Sequence, residues 1–471
     1  MPEQTLTAPA VQELARAFRG VLLQPGDSNF DEARLVWNGI HDRHPALIAR
    51  CTTPDDVVAA VNCARSKDLP LAVRGGGHSA PGYATCDDGI VIDLSLMKNI
   101  DVDPAARTAR AEAGMTWGEF DAATQEHALA VTGGRFSTTG IAGLTLGSGS
   151  GWLERKCGLT ADNLLSAEVV TAAGERVTAS PDENADLFWG IRGGSGNFGI
   201  VTSFTYRLHE VGPIIYGGLM LAMPERAREI LSFVADYMPS APDDLGGGVA
   251  FINAPPAPFV PPELQHQPVV GAVICWTGDQ EEGERVLAPI REVMQPVVDV
   301  VGPMPYTALQ SMLDDGGPKG IRGYFKAEFL EELTDEAVDK LVEHGAKRAG
   351  PMTQLLMEPM RGAISRVGED DTALGRRDIP WCFHALAMWM EPDDDTAQSH
   401  IAWARDLAEE MKPHTVEGVY LNYISDEGEE RVRSTYGPAK YDRLVGLKDR
   451  WDPDNLFRLN QNIRPSANGR G

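Results

Sequence analysis

The chain contains 471 residues, of which 43% are hydrophobic and 23% charged, and its formal net charge is −26. This composition is typical of a globular protein, and the length exceeds one ordinary hydrophobic core, so we expect two or three domains. The strong acidity disfavours nucleic acids and anionic membranes as partners, because both are negatively charged.

The sequence contains no pattern typical of export or membrane insertion. Residues 1–20 lack a basic start followed by an apolar core. No uninterrupted apolar run reaches the roughly 20 residues that cross a bilayer, so we expect a cytoplasmic protein. The six cysteines include no Cys-x-x-Cys pair, and the sequence therefore predicts no zinc ribbon, no thioredoxin-like motif and no metal site.

The first part of the chain begins with a predicted short helix at 11–19. Residues 47–76 then indicate a strand, a helix and a second strand. Thr53 and Pro54, followed by two acids, form a typical helix start ahead of an apolar helical face. The second strand ends in a run of three glycines and a histidine.

Alternating apolar residues and β-branched residues predict further strands up to about residue 212. Residues 89–114 predict short strands separated by an Asp-Pro turn, and 117–131 predict a helix. After a glycine-dense stretch, 167–180 read as a hairpin and 188–211 end in a long alternating strand. These elements predict an α+β domain of nucleotide-binding type.

The composition changes at Gly212 and Pro213. Residues 214–413 alternate strand-like segments with amphipathic helices, which suits an antiparallel sheet covered by helices. We interpret the proline-rich residues 243–263 as a loop within this region. The last part, 414–471, is predicted to hold a strand that carries YLNY, two helical pieces and a loose tail from residue 466.

The stretch VRGGGHS (73–79) contains three consecutive glycines. Glycine is costly to order, which indicates that another group approaches this backbone closely. A glycine-rich turn after a strand directs backbone N–H groups at phosphate oxygens. A tight surface loop with an incidental histidine explains the same residues, because isolated glycine motifs match many unrelated proteins.

The glycine stretch is the first of several motifs along the chain. They are VRGGGHSAPGYA (73–84), VTGGRFSTTGIAGLTLGSGSGWLERKCGLTADN (131–163), DLFWGIRGGSGNFGIVTSF (186–204), and the C-terminal pair YLNY (420–423) and NQNIRP (460–465). This set resembles the FAD-linked oxidases of the vanillyl-alcohol oxidase superfamily. Within it, the chain is similar to the berberine-bridge-enzyme-like branch, to which bacterial 6-hydroxynicotine oxidase and the oligosaccharide oxidases belong. The resemblance is weakest over 214–413.

The resemblance implies an α+β fold with a PCMH-type FAD-binding domain built from both chain ends. An antiparallel-sheet substrate domain covered by helices would lie between them. The expected boundaries are 1–213 for the FAD-binding domain, with its core at about 40–212, and 214–413 for the substrate domain. Residues 414–471 would return to the FAD-binding domain.

The resemblance also implies that FAD is attached covalently. In this family the histidine after the glycines bonds to the 8α-methyl group of the flavin, and His78 occupies that position. Cys157 matches the second attachment point of members with two bonds, where a thiolate joins C6 of the ring. Thr160 is close in shape to the small residue that leaves room for dioxygen, which favours an oxidase that makes hydrogen peroxide.

Other cofactor contacts are implied within the same motifs, mostly at glycines. These residues are Arg74, Gly75, Gly76, Gly77, Ser79, Gly82, Tyr83, Gly133, Gly134, Gly143, Gly147, Gly149, Gly151, Trp152, Asp162, Asn163, Gly199, Ile200, Val201, Tyr420, Asn422 and Asn462. Asn462 is expected to anchor the segment that returns to the flavin.

The substrate proton requires a base, and in sugar-oxidising relatives this is a tyrosine near the C-terminal strand. Tyr420 and Tyr423 are the candidates. Residues three apart on a strand face opposite sides, so we expect Tyr423 to be the base and Tyr420 to line the flavin edge. Tyr324, His384 and Trp389 are candidates for the substrate pocket, although ordinary sheet packing is the stronger interpretation of each.

These features predict a flavoprotein oxidase that takes a hydride from an alcohol- or amine-bearing small molecule, either a sugar or a natural-product intermediate, and passes electrons to O2. The alternatives are a dehydrogenase of the same fold that uses a carrier, and an oxidative cyclase. A nicotinamide dehydrogenase is disfavoured because GGSGNFG precedes a predicted strand rather than a helix. A zinc hydrolase is disfavoured because the sequence has no His-Glu-x-x-His motif.

Overall fold

The computed structural model describes residues 6–466, so most of the predicted tail lies outside the described residues. The helices are α1 (Ala8–Ala17), α2 (Phe30–Arg34), α3 (Pro54–Lys67), α4 (Trp117–Gln125), α5 (Ile141–Leu146), α6 (Glu154–Cys157), α7 (Ala185–Gly190), α8 (Ala227–Tyr237), α9 (Gln280–Met294), α10 (Tyr306–Gln310), α11 (Asp335–Ala346), α12 (Asp394–Met411) and α13 (Glu429–Trp451).

The strands form four sheets. They are β1 (Val21–Leu23), β2 (Leu47–Arg50), β3 (Leu71–Arg74), β4 (Ile90–Asp93), β5 (Ile100–Asp103), β6 (Thr108–Glu112), β7 (Leu129–Ala130), β8 (Leu164–Val170), β9 (Arg176–Ala179), β10 (Ile200–Arg207), β11 (His209–Glu210), β12 (Ile214–Ala222), β13 (Leu245–Asn253), β14 (Pro268–Trp276), β15 (Val298–Asp299), β16 (Gly302–Pro305), β17 (Arg322–Leu330), β18 (Gln354–Pro359), β19 (Trp381–Trp389) and β20 (Thr415–Val416).

The first sheet has the order β1-β2-β4-β3, and β4 runs parallel to both β2 and β3. Helix α3 connects β2 to β3, which confirms the predicted strand, helix and strand. Its start is fixed by a capping box in which Thr53 and Asp56 satisfy each other's backbone N–H groups. Strand β3 ends at Arg74, so the glycine segment begins where the sheet stops.

A second sheet has the order β5-β6-β10-β8-β9 and is antiparallel throughout. Its β8–β9 pair is the predicted hairpin, and β10 is the predicted long strand. Both sheets share one hydrophobic core, in which Leu47 and Val169 lie with Leu444 and Ile463 from the end of the chain. The C-terminal segment therefore packs against the sheets formed by the first half of the chain.

The third large sheet has nine strands, in the order β15-β12-β14-β13-β18-β19-β17-β20, with β16 also paired to β12. Helices α8, α9, α11 and α12 cover one of its faces, where Met220, Leu231 and Leu407 are buried in a common core. The predicted α+β class, with an antiparallel sheet covered by helices, is confirmed.

The prediction of a loop at 243–263 was wrong over its first half, because Leu245–Asn253 form β13 in the middle of the large sheet. Glycines in a row argue against a strand on sequence grounds. The structure gives the reason for one of them: a Cβ on Gly246 would lie 2.0 Å from the carbonyl oxygen of Trp152. Gly246 therefore lets the turn before α6 approach the sheet.

The predicted strand at YLNY was also wrong. Tyr420 is extended, but Leu421–Tyr423 form a short 3₁₀ turn. The two predicted helical pieces are present as the two parts of α13, which bends at Gly437, where φ is +70°. The turn changes the geometry of the site, because residues three apart on a 3₁₀ turn lie on the same side.

Candidate functional site: a glycine-lined cavity beside a buried tyrosine cluster

A cavity of about 240 Å³ lies beside the glycine segment that follows β3. Its walls come from the predicted motifs and from the C-terminal segment. The residues predicted to bind the cofactor that do line it are Gly75, Gly76, Gly77, His78, Ser79, Tyr83, Gly143, Gly199, Ile200, Val201 and Asn422. Leu421, Phe457, Asn460 and Gln461 close it from the C-terminal side.

The glycines of this wall serve two different purposes. A Cβ on Gly76 would lie 2.3 Å from the backbone nitrogen of Gly140, so the segments containing these two glycines pack backbone to backbone. By contrast, a Cβ on Gly143 or Gly196 would meet no protein atom within 4 Å, and both residues line the cavity. Side chains there would project into the space that a bound group needs.

The cavity suits a phosphate-containing cofactor such as FAD. Among the described residues that line it, none carries a charged side chain, so backbone N–H groups and neutral side chains such as Ser79 and Thr139 are the donors for phosphate oxygens. At one end, Asn460 and Gln461 each leave a buried polar atom without a partner among the described residues, whereas Asn462, which also has such an atom, does not line the cavity. A native protein pairs such atoms, so they fit hydrogen bonds to a ligand.

His78 directly follows the three glycines and contacts three side chains. The Trp37 ring stacks on its imidazole at 5.0 Å, and the hydroxyl groups of Thr138 and Thr139 lie near its two nitrogens. Burial lowers the pKa of His78 to about 4. The imidazole is therefore neutral at pH 7 and retains the lone pair that a nucleophile needs.

A second feature of the site is a cluster of charged and aromatic side chains around Tyr423. The Tyr423 hydroxyl contacts the Arg135 guanidinium and lies 2.8 Å from the Ser150 hydroxyl. Arg135 is also 3.1 Å from both Glu154 and Glu358. These charged groups come from separate elements: a loop, the start of α6 and strand β18.

The electrostatics of the cluster are dominated by burial, because the Arg135, Glu154 and Glu358 side chains are at most 10% exposed. Burial raises the pKa of Tyr423 well above its usual value, and Arg135 counteracts this only in part. Burial also raises the pKa of Glu358, against the opposing effects of Arg135 and the Tyr423 hydroxyl.

Tyr420 plays a different part from Tyr423, although the two rings meet edge to face at 4.6 Å. Its hydroxyl oxygen accepts hydrogen bonds from the backbone N–H groups of Gly149 and Ser150 and from the Asn422 side chain, at 2.7, 2.9 and 3.1 Å. Burial has the larger effect on the pKa of Tyr420 and raises it, whereas these three donors favour the phenolate and lower it. Asn422 also lines the cavity, so the turn joins the cavity to the cluster.

The remaining predicted glycines lie behind the cavity rather than on its surface. At each of these six glycines, a Cβ would meet a neighbouring protein group. The pairs are Gly82 with the His41 ring, Gly133 with the Trp117 ring, Gly134 with the Leu144 side chain, Gly147 with the Asn422 amide, Gly149 with the Thr160 hydroxyl and Gly151 with the Gly133 carbonyl. Each allows a close approach between two parts of the protein. They shape the wall without lining it.

Four predicted polar or aromatic contacts also lie behind the cavity wall. Arg74 donates to backbone carbonyls, including that of Ala84 at 3.2 Å. Asp162 forms a buried ion pair with Arg377 at 2.6 Å. Asn163 lies 2.6 Å from His209, and Trp152 packs in a separate apolar cluster beneath Arg135.

Cys157 does not line the cavity, and its bond to the flavin stays a prediction. It ends α6 and is buried with Cys275, Ile215 and Tyr306 between α6 and the large sheet. Burial raises the pKa of the Cys157 thiol to about 12. A thiol in these surroundings is neither at the cavity surface nor ionised at neutral pH.

Thr160 is likewise absent from the residues that line the cavity. Its hydroxyl is fully buried, donates to the carbonyl oxygen of Thr132 at 2.6 Å and lies 3.2 Å from that of Gly149. The side chain therefore holds two glycine-rich segments together. The predicted role in admitting dioxygen has no support from this position.

Of the three candidates for the substrate pocket, only His384 adjoins the cluster. Its ring stacks on Tyr423 at 4.3 Å, and burial lowers its pKa to about 3. Trp389 stacks on His400 at the other end of β19. The Tyr324 hydroxyl contacts Arg405 of α12 on the outer face of the sheet, at 3.3 Å.

Arg135, Glu154 and Glu358 were not predicted from the sequence. A lone charge inside an apolar strand, as in LLMEP around Glu358, is the one local signal that could have indicated a buried carboxylate. Glu154 and Arg135 lie in ordinary polar surroundings in the sequence. Only the folded chain shows that the three meet at Tyr423.

Comparisons with known proteins agree with this architecture. The family described as FAD binding domain matches residues 45–180, and the family described as berberine and berberine like matches residues 419–464. The two matches contain the glycine segment with His78 and the turn with Tyr420 and Tyr423, respectively. The fold and the site thus define an FAD-linked oxidoreductase.

Relatives with known names match over nearly their whole length. An FAD-linked oxidoreductase of Dictyostelium discoideum is 30% identical over 465 residues, which is 97% of each chain. The (R)-6-hydroxynicotine oxidase of Paenarthrobacter nicotinovorans is 30% identical over 465 residues, or 96% of this chain and 98% of that protein. The chain belongs to the berberine-bridge-enzyme-like family of FAD-linked oxidoreductases.

Solved structures share the complete fold. The crystal structure of 6-hydroxy-D-nicotine oxidase from Arthrobacter nicotinovorans superposes with a TM-score of 0.87 at 28% identity, covering 98% of this chain and all of that one. A xylooligosaccharide oxidase from Myceliophthora thermophila has a TM-score of 0.83 at 21% identity, covering 98% and 100%, and shares the fold. Over residues 6–466, no helix combines the length and apolarity needed to cross a membrane.

Proposed function

We propose that this protein is a flavoprotein oxidase in which FAD is attached covalently to His78. It would take a hydride from a carbon that bears a hydroxyl or amino group on a small molecule, and reduce O2 to hydrogen peroxide. The observation that carries this proposal is the turn at 420–423. Its Asn422 lines the cavity next to the glycine segment, while its Tyr423 lies in the buried charged cluster.

FAD bound in the cavity supplies the hydride chemistry, and the protein supplies position and a path for the proton. Gly75, Gly76 and Gly77 would present backbone N–H groups to the phosphates. Asn460 and Gln461 would satisfy polar groups at the opposite end. In this proposal residues 1–213 and 414–471 hold the cofactor, and residues 214–413 face the substrate.

Tyr423 is the proposed base, because its hydroxyl has an acceptor close by. As it takes the substrate proton, it would pass its own proton to Glu358, whose carboxylate interacts with it. Arg135 contacts both groups, so it would stabilise negative charge that moves between them. Tyr420, whose oxygen already accepts three hydrogen bonds, would hold the turn in place.

We propose one covalent bond, at His78, and leave the second, at Cys157, as a prediction from the sequence. Cys157 does not line the cavity that contains His78, and burial raises the pKa of its thiol to about 12. The use of O2 is proposed from the relatives named as oxidases, because Thr160 does not line the cavity. The similarity to the (R)-6-hydroxynicotine oxidase leads us to include cyclic amines among the candidate substrates.

The test uses the purified protein in anaerobic buffer with a panel of sugars, alcohols and cyclic amines. Bleaching of the flavin absorbance near 450 nm identifies a substrate, and admission of air should then restore the absorbance and release hydrogen peroxide. Bleaching without recovery in air would contradict the oxidase and favour a dehydrogenase. A protein purified without flavin would contradict the proposal as a whole.

A further inference from the structure

The three parallel strands of the first sheet end side by side in charged residues. Arg50, Asp93 and Arg74 are the last residues of β2, β4 and β3. Asp93 lies between the two arginines and is paired in register with each of them. In open α/β sheets, ligands bind outside the carboxyl ends of parallel strands, so this arginine row occupies the edge where a ligand is expected.

An open cavity of about 530 Å³ lies at this edge of the sheet. The whole arginine row lines it, and its hydroxyl-bearing lining residues are Ser95, Thr116 and Thr138. The residues that it shares with the glycine cavity are Gly75, Gly76, Gly77 and His78. The remaining walls of the two cavities are different, and a volume in this range suits a small-molecule site.

The charges that line this second cavity contrast with the acidity of the chain. The positive residues are Arg50, Arg74, Lys98 and Lys319, and the negative ones are Glu32, Asp93 and Asp314. Lys98 is already paired with Glu119, and Asp314 accepts hydrogen bonds from Ser137. Without these two, three positive and two negative groups remain, whereas the chain as a whole carries a net charge of −26.

Arg50 is the residue of the row whose guanidinium lacks partners. Its Nε atom lies 3.4 Å from the Asp93 carboxylate but forms no hydrogen bond within the described residues. Its Nη2 atom donates to the Ser95 hydroxyl over 3.4 Å, which is long for such a bond. A guanidinium carries five N–H donors and no acceptor, so an anion in the cavity would supply the partners that Arg50 lacks.

Arg74 contributes positive charge to the row rather than donors. Its guanidinium donates to backbone carbonyl oxygens, including that of Ala84 at 3.2 Å. Burial lowers the pKa of Arg74, Asp93 opposes this effect and Arg50 adds to it. The two arginines thus share one carboxylate, and an anion beside them would offset their mutual repulsion.

We propose that the second cavity is a binding site for a phosphate group, held by Arg50 at the carboxyl edge of the first sheet. The planar guanidinium fork matches the oxygens of a phosphate, and hydrogen bonds to an ionised acceptor are stronger than neutral ones. The hydroxyl groups of Ser95 and Thr116 supply further donors within the same cavity.

This site would be occupied in addition to the cofactor cavity. Inorganic phosphate and a phosphate monoester share the chemistry that Arg50 recognises, and the test separates them. The inference goes beyond the proposed function and does not depend on it, because the arginine row is formed by the sheet and not by the cofactor. A protein without flavin would contradict the proposed function and leave this site to be tested.

The experiment measures binding of inorganic phosphate and of glycerol phosphate to the purified full-length protein by equilibrium dialysis. Sodium chloride keeps the ionic strength constant, so that nonspecific attraction is equal in all samples. Arg50→Gln removes both charge and fork, whereas Arg50→Lys keeps the charge alone. Arg285→Gln, at an exposed position of α9, is the charge-matched control. Thermal midpoints are recorded with and without phosphate.

We expect the wild type and Arg285→Gln to bind one phosphate per chain saturably and to gain thermal stability from it. Arg50→Gln should bind about ten- to a hundred-fold more weakly, as expected for the loss of a hydrogen bond to a charged group, and Arg50→Lys should lose less. Tighter binding of glycerol phosphate would identify a phosphate ester as the ligand, and tighter binding of inorganic phosphate would identify the free anion.

Equal binding by the wild type and Arg50→Gln would overturn the proposal, as would a wild type without saturable binding. Binding that occurs only after flavin is removed would place the anion in the cofactor cavity and would also overturn it. If Arg50→Gln does not fold, Lys319→Gln provides the comparison, because Lys319 is an exposed residue of the same cavity. That variant should weaken binding about two- to five-fold, and unchanged binding would contradict the site.

Discussion

The glycine cavity and the Tyr423 cluster adjoin each other but are built in opposite ways. The cavity wall is mostly backbone and small side chains, has no charged lining residue among those described, and is open to a ligand. The cluster consists of buried charged side chains that form ion pairs, with Arg135 between two carboxylates. One region can hold a large cofactor, whereas the other can move a proton at a defined atom.

The largest expected effect comes from removing the proton acceptor in the cluster. Tyr423→Phe should slow flavin reduction by about 10²–10⁴-fold, the range that general bases contribute, while covalent flavin content stays unchanged. Stopped-flow reduction under anaerobic conditions with a substrate from the panel measures the effect. Tyr420→Phe is the matched control, and a larger loss there than in Tyr423→Phe would reverse the assignment.

Glu358→Gln should slow reduction by roughly 10²-fold and change its pH dependence. In the wild type the rate should fall with decreasing pH, because Glu358 accepts a proton only when ionised. The raised pKa of Glu358 places this fall above the usual value of 4.5. The glutamine variant should lose this pH dependence, and a variant that kept the wild-type profile would show that Glu358 is not the acceptor.

Two glycine substitutions distinguish glycines that are needed for packing of the cavity wall from glycines that are needed to leave space for the cofactor. Gly76→Ala places a Cβ against the Gly140 backbone and should lower the free energy of unfolding by about 1–3 kcal/mol. Gly143→Ala meets no protein atom and should leave the flavin-free protein stable but reduce its flavin content. Denaturant unfolding and flavin absorbance measure the two effects, and equal behaviour of the two variants would contradict this distinction.

The smallest effect should come from Cys157. Its replacement by alanine leaves a small space in the cluster around Cys275 and Ile215 and should cost about 1 kcal/mol of stability. The mass of covalent flavin and the absorbance spectrum should be the same as in the wild type. A spectrum that changed towards that of a flavin with one fewer bond would restore the second attachment point.

Much of the fold and part of the site followed from local sequence patterns. The helix start at Thr53 and the glycine segment before His78 are short-range signals, so strand β3 and helix α3 were predicted correctly. Strand β13 was missed because its Gly246 is explained by a contact with Trp152, which lies about ninety residues earlier in the chain. A pattern within the strand cannot report such a contact.

The geometry of the tyrosines and of the charged cluster could not be predicted, because it is set by contacts between residues that are far apart in the sequence. The sequence predicted a strand at 420–423, but the 3₁₀ turn brings Tyr423 and Tyr420 into edge-to-face contact. Arg135 and Glu358 lie 223 positions apart in the sequence and meet only through the pairing of β18 in the sheet. The motif match at Cys157 could not indicate that its side chain packs beside Cys275, because that contact joins segments more than a hundred positions apart.

The most direct test of the central claim is the retention of FAD on His78. The wild type and His78→Ala are precipitated with acid, and the intact mass and the supernatant absorbance of each are recorded. The account predicts that the wild type keeps one FAD on the protein, mapped to the peptide with His78, and that the variant releases all of its flavin. Flavin released from the wild type, or retained by the variant, would contradict it.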